Sequence, residues 1–331
     1  MLTKDYVQYF LEEHRRKGVK GRKIEDTTFS GYVDKCRFIT EYIGNIKVLD
    51  LTREDIEDFI DKVHKRTCDT TARQVRDLTT SMIHFAKKDG LIQEDILQGE
   101  KVTLKESKGT AEKKVISEED MKIFINYCKE QKYYDLIFAM CTGVRASELA
   151  GVCWEDIDFE KGTVYIHRAY MRIKKMELKD GKMEGKYVKE FKDLKSKNSY
   201  RTLGLQQELL EMLKEHKEEQ KELAKKNNKT FTEQDWVFTT VTYNGYVSDY
   251  SNDKFRKVMN TIKIKDYDKL SMHNIRHSFC TLGLMNGVSI EEMQKVMGHA
   301  NIATTTIYSH ILKNKVIEAS NRVASNVVKY L

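Results

Sequence analysis

Between residues 3 and 88, apolar side chains recur three and four positions apart in four successive stretches, which predicts four amphipathic helices and an all-α domain. Thr52, followed three residues later by Asp55, has the spacing of a capping box, so we expect the third helix to begin there. The apolar faces of the second, third and fourth helices are formed by Tyr32, Cys36, Ile39, Ile43, Ile56, Phe59, Ile60, Val63, Val75, Leu78, Met82 and Phe85. Helix ends are predicted at Gly18, Gly44 and Gly90.

The pattern changes after a polar stretch without periodicity at residues 101–114, which is typical of an interdomain linker. Ser117 with Asp120 predicts the start of another helix. Helical spacing continues to about Leu149, short β-rich segments follow from 163 to 205, and the rest is mostly helical. The second domain is therefore predicted to be α+β. The predicted boundaries are 1–100 for the helical domain, 101–114 for the linker and 115–331 for the second domain.

Composition narrows the class of protein. The chain of 331 residues carries 58 Lys and Arg against 51 Asp and Glu, and this net charge of +7 permits a polyanionic partner without establishing one. Charged residues interrupt every apolar run, and Lys4 and Asp5 precede any apolar segment, so we expect no membrane partner and a cytoplasmic location. The six cysteines form no Cys-x-x-Cys pair, which favours reduced, buried thiols.

Four short signals in the second domain could carry chemistry. In chain order they are Arg145 just after Gly143, His273 one helical turn before Arg276, Gly298-His299 at the end of a helix that Ser289 and Glu292 open, and Tyr308. Each alone has an ordinary structural interpretation, because a lone arginine is usually solvated, a lone histidine is usually a satisfied structural residue and a lone tyrosine usually belongs to the core. Their function depends on whether they converge.

A converging set would suit phosphoryl transfer. Two guanidinium groups match the oxygens of a phosphodiester, two imidazoles can bind the phosphate or move protons, and a tyrosine hydroxyl is a nucleophile. Positioned cations can stabilise the transition state, so this chemistry requires no metal and no cofactor. Lys195 precedes a segment that alternates like a strand, and a lysine held out from such a sheet could protonate a leaving 5′ oxygen.

Three segments resemble, in order, the motif blocks of the tyrosine recombinases, the phage integrase family. They are residues 142–149 (Thr-Gly-Val-Arg-Ala-Ser-Glu-Leu), residues 273–277 (His-Asn-Ile-Arg-His), and Gly298-His299 with Thr305, Tyr308, Ser309 and His310. The resemblance covers nearly the whole chain. It implies a multidomain protein with an all-α, SAM-like core-binding domain and a mostly helical catalytic domain with a small antiparallel sheet, the DNA breaking-rejoining enzyme fold.

The resemblance also implies a role for each site residue. Arg145 and Arg276 would clamp the scissile phosphate while Tyr308 attacks it, and Glu148 would orient Arg145. By the same resemblance, His299 would hydrogen-bond the phosphate, His273 would act as acid or base, and Lys195 would be the general acid. The stretch from 171 to 191, with a predicted turn at 180–182, is longer than the family's usual connection, so Lys197 is an alternative to Lys195.

By the same resemblance, the chain would be a site-specific recombinase or integrase of a phage or mobile element that acts through a 3′-phosphotyrosyl intermediate without metal or ATP. The alternatives are an Xer-like resolvase or invertase with the same chemistry, and a catalytically silent DNA-binding accessory protein. The implied partners are double-stranded DNA with specific recombination sites, three further copies in a homotetramer on DNA, and a directionality factor; off DNA the protein would be a monomer or weak oligomer.

Two features of the chain's ends leave alternatives open. Many integrases carry a small arm-binding domain before the core-binding helices, and here it is either lacking or clipped. An apolar stripe at the other end would cap its own domain or dock on a neighbouring protomer; it consists of Ile311, Leu312, Val316, Val323 and Val327.

Overall fold

The structure is a computed structural model, which describes residues 1–18, 23–94, 96–97, 99–100, 102–104, 114–179 and 182–299. The chain divides into two compact units. The first comprises Met1–Ala111 and Ile173–Val188, and the second comprises Glu112–Arg172 and Lys189–Leu331. The first unit therefore includes residues 173–188, which follow residues 112–172 of the second unit in the chain.

The described residues of the first unit contain four α-helices, in agreement with the apolar spacing. They are α1 (Thr3–Lys17), α2 (Asp26–Ile43), α3 (Arg53–Arg66) and α4 (Asp69–Lys88). Their predicted faces form one buried cluster, in which Ile39 is fully buried and Tyr32 and Phe85 are partly buried. The predicted capping box starts α3, because the backbone N–H of Asp55 donates to Thr52 Oγ1 at 3.2 Å and that of Thr52 donates to Asp55 Oδ2 at 2.9 Å.

The helix ends predicted at glycines agree with the structure in part. Gly18 and Gly44 directly follow α1 and α2, whereas α4 is capped by Asp89 and Gly90 comes one residue later. Of the predicted linker, residues 102–104 and 114 lie within the described part of the chain. Val102 among them is 1% exposed and packs in the core of the first unit.

The second unit combines helices with strands, so the predicted α+β class is confirmed. Up to residue 299, its α-helices are α5 (Glu118–Glu130), α6 (Tyr134–Thr142), α7 (Ala146–Leu149), α8 (Gln207–Lys226), α9 (Ser248–Ile262), α10 (Met272–Met285) and α11 (Ile290–Met297). The predicted caps start α5 and α11, since Ser117 and Ser289 accept hydrogen bonds from the backbone N–H groups of Asp120 and Glu292. Residues 227–247 contain no helix, although mostly helix was expected there. Within the described residues, no helix is long and apolar enough to cross a bilayer.

Two small antiparallel sheets lie between α7 and α8 in the chain. The strands are β1 (Ile157–Asp158), β2 (Thr163–Ile166), β3 (Arg168–Lys179), β4 (Lys182–Asp193) and β5 (Arg201–Gly204). β1, β2 and β5 form one sheet in that order, and β3 pairs with β4 in the other. In the first sheet Ile166 of β2 is opposite Arg201 of β5. Val164, Ile166 and Leu203 point into the core of the second unit.

The β3–β4 hairpin leaves the second unit and ends in the first. Met176 of β3 is 2% exposed and lies among the apolar side chains of the helical core. Lys174 Nζ lies 3.2 Å from Asp34 Oδ1 of α2. Of the predicted turn at 180–182, residues 180 and 181 lie outside the described part of the chain.

Candidate active site

The turn between α6 and α7 requires a glycine and places the first arginine. Gly143 has φ 64°, the left-handed region that favours glycine. A Cβ at this position would lie 2.3 Å from Cδ1 of Phe279 on α10. The close approach of α10 and the backbone conformation therefore both select glycine, and the chain turns so that Arg145 stands at the beginning of α7.

Glu148 fixes the orientation of Arg145. Arg145 Nη1 donates to Glu148 Oε1 at 2.6 Å, and the backbone N–H of Arg145 donates to Glu148 Oε2 at 2.9 Å. Glu148 is 1% exposed, while the Arg145 side chain keeps 35% of its surface exposed. Burial alone would raise the pKa of Glu148, but the charges of Arg201 and Arg145 hold that pKa below its ordinary value. The carboxylate is therefore ionised and directs one exposed guanidinium.

The second motif block lies on α10, in agreement with the spacing of His273 and Arg276. Arg276 is 2% exposed, and its Nη1 donates to the carbonyl oxygen of Gly143 at 2.7 Å. Its Nη2 donates to the carbonyl oxygen of Met297 at the end of α11. Burial, followed by the nearby charge of Arg145, lowers the pKa of Arg276 to about 9. His273 is exposed at the start of α10, with its ring centroid 4.4 Å from that of His277.

The third motif block begins where α11 ends. Gly298 follows α11, and its carbonyl oxygen accepts a hydrogen bond from Arg145 Nη2 at 3.2 Å. His299 is 7% exposed. Burial, and then the charges of Arg276 and Arg145, lower the pKa of His299 to about 4. The imidazole is therefore neutral near pH 7, in which state one ring nitrogen donates a hydrogen bond and the other accepts one.

Lys195 and Lys197 lie in the connection between β4 and β5, so both precede a strand, as the alternating pattern predicts. Both lysines are exposed, and neither forms an ion pair within the described ranges. The backbone after them is fixed, because Ser199 is buried and its N–H donates to the carbonyl oxygen of Ser196 at 3.0 Å.

A third arginine, Arg201, which the sequence patterns did not single out, belongs to the same site. Arg201 is 8% exposed, and its Nη2 donates to Glu148 Oε2 at 2.9 Å. Its Nε and Nη1 donate to the carbonyl oxygens of Val296 and Ser199 at 2.7 Å and 3.0 Å. The alternating pattern of β5 could have indicated the burial of Arg201, because Arg201 is on the same inward face of the strand as the apolar Leu203.

Together these residues form a region with surplus positive charge. Arg145, Arg201 and Arg276 lie near Glu148, and the charges of all three arginines lower the pKa of His299. One carboxylate cannot neutralise three guanidinium groups, so the region favours an anion at the exposed side of Arg145. Planar guanidinium donors suit the oxygens of a phosphate group. Within the described ranges, no cluster of three His, Cys, Asp or Glu side chains could hold a metal ion.

Part of the predicted site lies outside the described residues. The structure brings Arg145, Glu148, Arg276 and His299 together, with His273 on the same helix as Arg276. Tyr308 and the apolar stripe that follows it are beyond residue 299, where the description ends. The nucleophile therefore stays a prediction.

Comparison with known proteins places the chain in a family. The sequence profile of the phage integrase family matches residues 114–315, more than half of the chain. The protein therefore belongs to the phage integrase family, the tyrosine recombinases, and the resemblance seen in its three motif blocks is confirmed.

Individual relatives agree with this assignment. A XerC-like tyrosine recombinase of Caldanaerobacter subterraneus is 30% identical over 267 residues, which cover 76% of this chain and 66% of that protein. The ICEBs1 integrase of Bacillus subtilis is 24% identical over 299 residues, which cover 87% of this chain and 74% of that protein. The structure of the Tn1549 transposon integrase in complex with transposon right end DNA has a TM-score of 0.77 at 17% identity, covering 98% of this chain and 100% of that one. The likeness confirms the predicted fold.

Proposed function

We propose that the protein is a site-specific DNA recombinase of the integrase type, which cleaves and rejoins strands through a covalent bond between Tyr308 and a 3′ phosphate. The observation that carries the proposal is the surplus positive charge formed by Arg145, Arg201 and Arg276 around Glu148. A DNA phosphodiester supplies the anion that such a site binds. Membership of the tyrosine recombinase family favours DNA over other phosphate esters.

In the proposed reaction, Arg145 and Arg276 bind the non-bridging oxygens of the scissile phosphate and stabilise the charge that develops there. The Tyr308 hydroxyl attacks phosphorus, the bond from phosphorus to the 5′ oxygen breaks, and His273 accepts the tyrosine proton. Neutral His299 donates a hydrogen bond to the phosphate. The arginines supply the charge stabilisation that a metal ion gives elsewhere, so the proposed reaction needs no metal.

The departing 5′ oxygen takes a proton from Lys195, or from Lys197 as the alternative. One phosphate ester replaces another in this step, so attack of a 5′ hydroxyl on the phosphotyrosine can restore the DNA backbone without ATP. The exposure of both lysines supports this role, since a general acid must reach the substrate.

Double-stranded DNA is the proposed partner, bound by the helical domain (residues 1–100) and the catalytic domain (residues 115–331) on either side of a linker at 101–114. Recombination of two duplexes cuts four strands, and each chain supplies one tyrosine, so we propose a homotetramer on DNA and a monomer or weak oligomer off it. A directionality factor would bias the exchange toward integration or excision.

A nicked duplex tests the proposal directly. The probe carries the DNA that flanks the gene, with a nick close to the expected cleavage position, so that a short fragment diffuses away after attack and traps the covalent product. We expect a gel-stable protein–DNA adduct that Tyr308→Phe abolishes. An adduct that persists in this variant would place the nucleophile elsewhere, and DNA binding without any adduct would favour a silent accessory protein.

The same chemistry could serve resolution of chromosome dimers, which is our second candidate function. The 30% identity to a XerC-like recombinase favours it. The two functions differ in their target DNA, because an integrase acts at the ends of its own element and a resolvase acts at a chromosomal site. Adduct formation on the gene's flanking DNA but not on fragments from the rest of the chromosome would support the integrase.

A further inference from the structure

Arg201 occupies a strand position where the fold calls for an apolar side chain. Along β5, residues 201 and 203 are buried and residues 202 and 204 are exposed. Leu203 fills its inward position with an apolar side chain that packs in the core of the second unit. A charged group buried at such a position is unfavourable unless hydrogen bonds replace its water. The partners of Arg201 therefore explain why an arginine stands there.

Those partners come from three separate segments that carry the site. Arg201 Nη2 donates to Glu148 on α7, Nη1 donates to the carbonyl oxygen of Ser199 after the two lysines, and Nε donates to the carbonyl oxygen of Val296 near the end of α11. We propose that Arg201 is a positioning residue that keeps these three segments in register for catalysis. This inference rests on the proposed function, whose reacting groups those segments carry.

Contact with the phosphate is the alternative role for Arg201, and the geometry disfavours it. All three nitrogens of the Arg201 guanidinium group already donate to protein oxygens. Arg201 also occupies Oε2 of Glu148, so that Glu148 binds the guanidinium of Arg145 through Oε1. The Arg145 guanidinium group therefore binds one oxygen of the Glu148 carboxylate, while Arg201 binds the other oxygen.

A lysine would keep the charge at position 201 but lose the three-way geometry, because an ammonium group cannot reach acceptors that lie around a planar fork. We expect Arg201→Lys to lower the rate constant of adduct formation on the nicked duplex by about 100-fold, since small misplacements of catalytic groups have effects of that size. The dissociation constant for the uncut duplex should change less than about threefold, because the phosphate-binding arginines remain.

The matched control is Arg168→Lys. Arg168 also lies on a strand and pairs with carboxylates, at 2.8 Å from Glu155 and 2.9 Å from Asp156, and its side chain is 20% exposed. This variant removes a comparable guanidinium fork whose carboxylate partners are outside the site. We expect it to cleave at the rate of the unmodified protein.

Gly298→Ala tests the same contact from the other side. A Cβ on Gly298 would lie 3.1 Å from Arg201 Nη1, at a backbone φ of 62°. Gly287→Ala is its control, because Gly287 has φ 95° with nothing within 4 Å of an added Cβ. Both variants introduce left-handed strain, whereas Gly298→Ala also crowds Arg201 and the backbone of Asn198 and Ser199, at 3.1 Å and 3.2 Å. We expect Gly298→Ala to cleave as slowly as Arg201→Lys with unchanged affinity, and Gly287→Ala to keep both the rate and the affinity of the unmodified protein.

NMR of the full chain without DNA separates this proposal from the proposed function. Arg201→Lys and Gly298→Ala should move the His299 ring signals, and both controls should leave them in place. If the unmodified protein forms no adduct, the proposed function fails while the NMR result still decides whether Arg201 positions His299. Cleavage by Arg201→Lys at the control rate would overturn the proposal. So would affinity lost in parallel with rate, which would make Arg201 a phosphate ligand.

Discussion

Arg276 donates a hydrogen bond to the carbonyl oxygen of Gly143 at 2.7 Å, so the second arginine of the site is bound to the turn that carries the first. Phe279, one helical turn after Arg276, packs against the same glycine. The two motif blocks are thus one packed unit, although more than a hundred residues of chain separate them. Substitutions that disturb this contact should affect stability and cleavage together.

Gly143→Ala should be strongly destabilising. The new methyl group would occupy a left-handed position and overlap the Phe279 ring, at a combined cost of about 2–5 kcal/mol in the free energy of unfolding. Urea unfolding measures this change. Adding Phe279→Leu should restore part of the loss by removing the overlap while the backbone strain stays. Equal stability of Gly143→Ala and the unmodified protein would contradict the packing described.

Glu148→Gln should separate orientation from charge. The amide keeps the size of the carboxylate but removes the negative charge that lies between Arg145 and Arg201, and breaking such a buried pair costs about 3 kcal/mol. We expect a lower melting temperature and slower adduct formation. Glu155→Gln is the control, because its partner Arg168 pairs with it near the surface and such pairs contribute less than about 1 kcal/mol. Similar losses in both variants would contradict the special role of Glu148.

The stability of the protein should fall as the pH is lowered from about 6.5 to about 4. His299 has a pKa of about 4 in the fold and 6.5 as its ordinary value, so over this range the unfolded chain binds a proton that the folded chain does not. His216 on α8 behaves likewise, with burial lowering its pKa to about 4. His299→Gln should therefore remove part of the pH dependence measured by thermal unfolding. An NMR titration of His299 with its midpoint near 6.5 would contradict this.

A sulfur substitution in DNA should identify the general acid. In a duplex whose leaving 5′ oxygen is replaced by sulfur, the departing thiolate needs no proton. We expect Lys195→Ala to slow cleavage of ordinary DNA by about 100-fold and to cleave the sulfur substrate at nearly the unmodified rate. Lys197→Ala should be close to unmodified on both substrates. The reverse pattern would assign the acid to Lys197, and a defect on both substrates would remove lysine from the proton transfer.

Local patterns were sufficient to predict much of the fold. The four helices of the first unit, the capping residues Thr52, Ser117 and Ser289, and the α+β class of the second unit depend on residues a few positions apart, and the structure confirms them. The motif blocks around Arg145, Arg276 and His299 were found for the same reason, since each is short and carries its own turn or helix signal.

The features that escaped prediction depend on distant contacts. Arg201 binds Glu148 and Val296, which lie 53 and 95 residues away in the chain, so the alternation around Arg201 can place it on the inward face but cannot identify these partners. The pairing of the long strands β3 and β4, which come before Lys195 in the chain, also escaped local patterns. Strand β1 was not predicted because it has two residues, too few to show an alternating pattern.

The route of the β3–β4 hairpin limits how the protein can be divided. A fragment that begins at residue 115 would contain the hairpin but lack the helices whose apolar side chains surround Met176. Met176, 2% exposed in the whole protein, would then face water, and Lys174 would lose its carboxylate partner Asp34. Such a fragment should be prone to self-association unless Met176 is replaced by a polar residue.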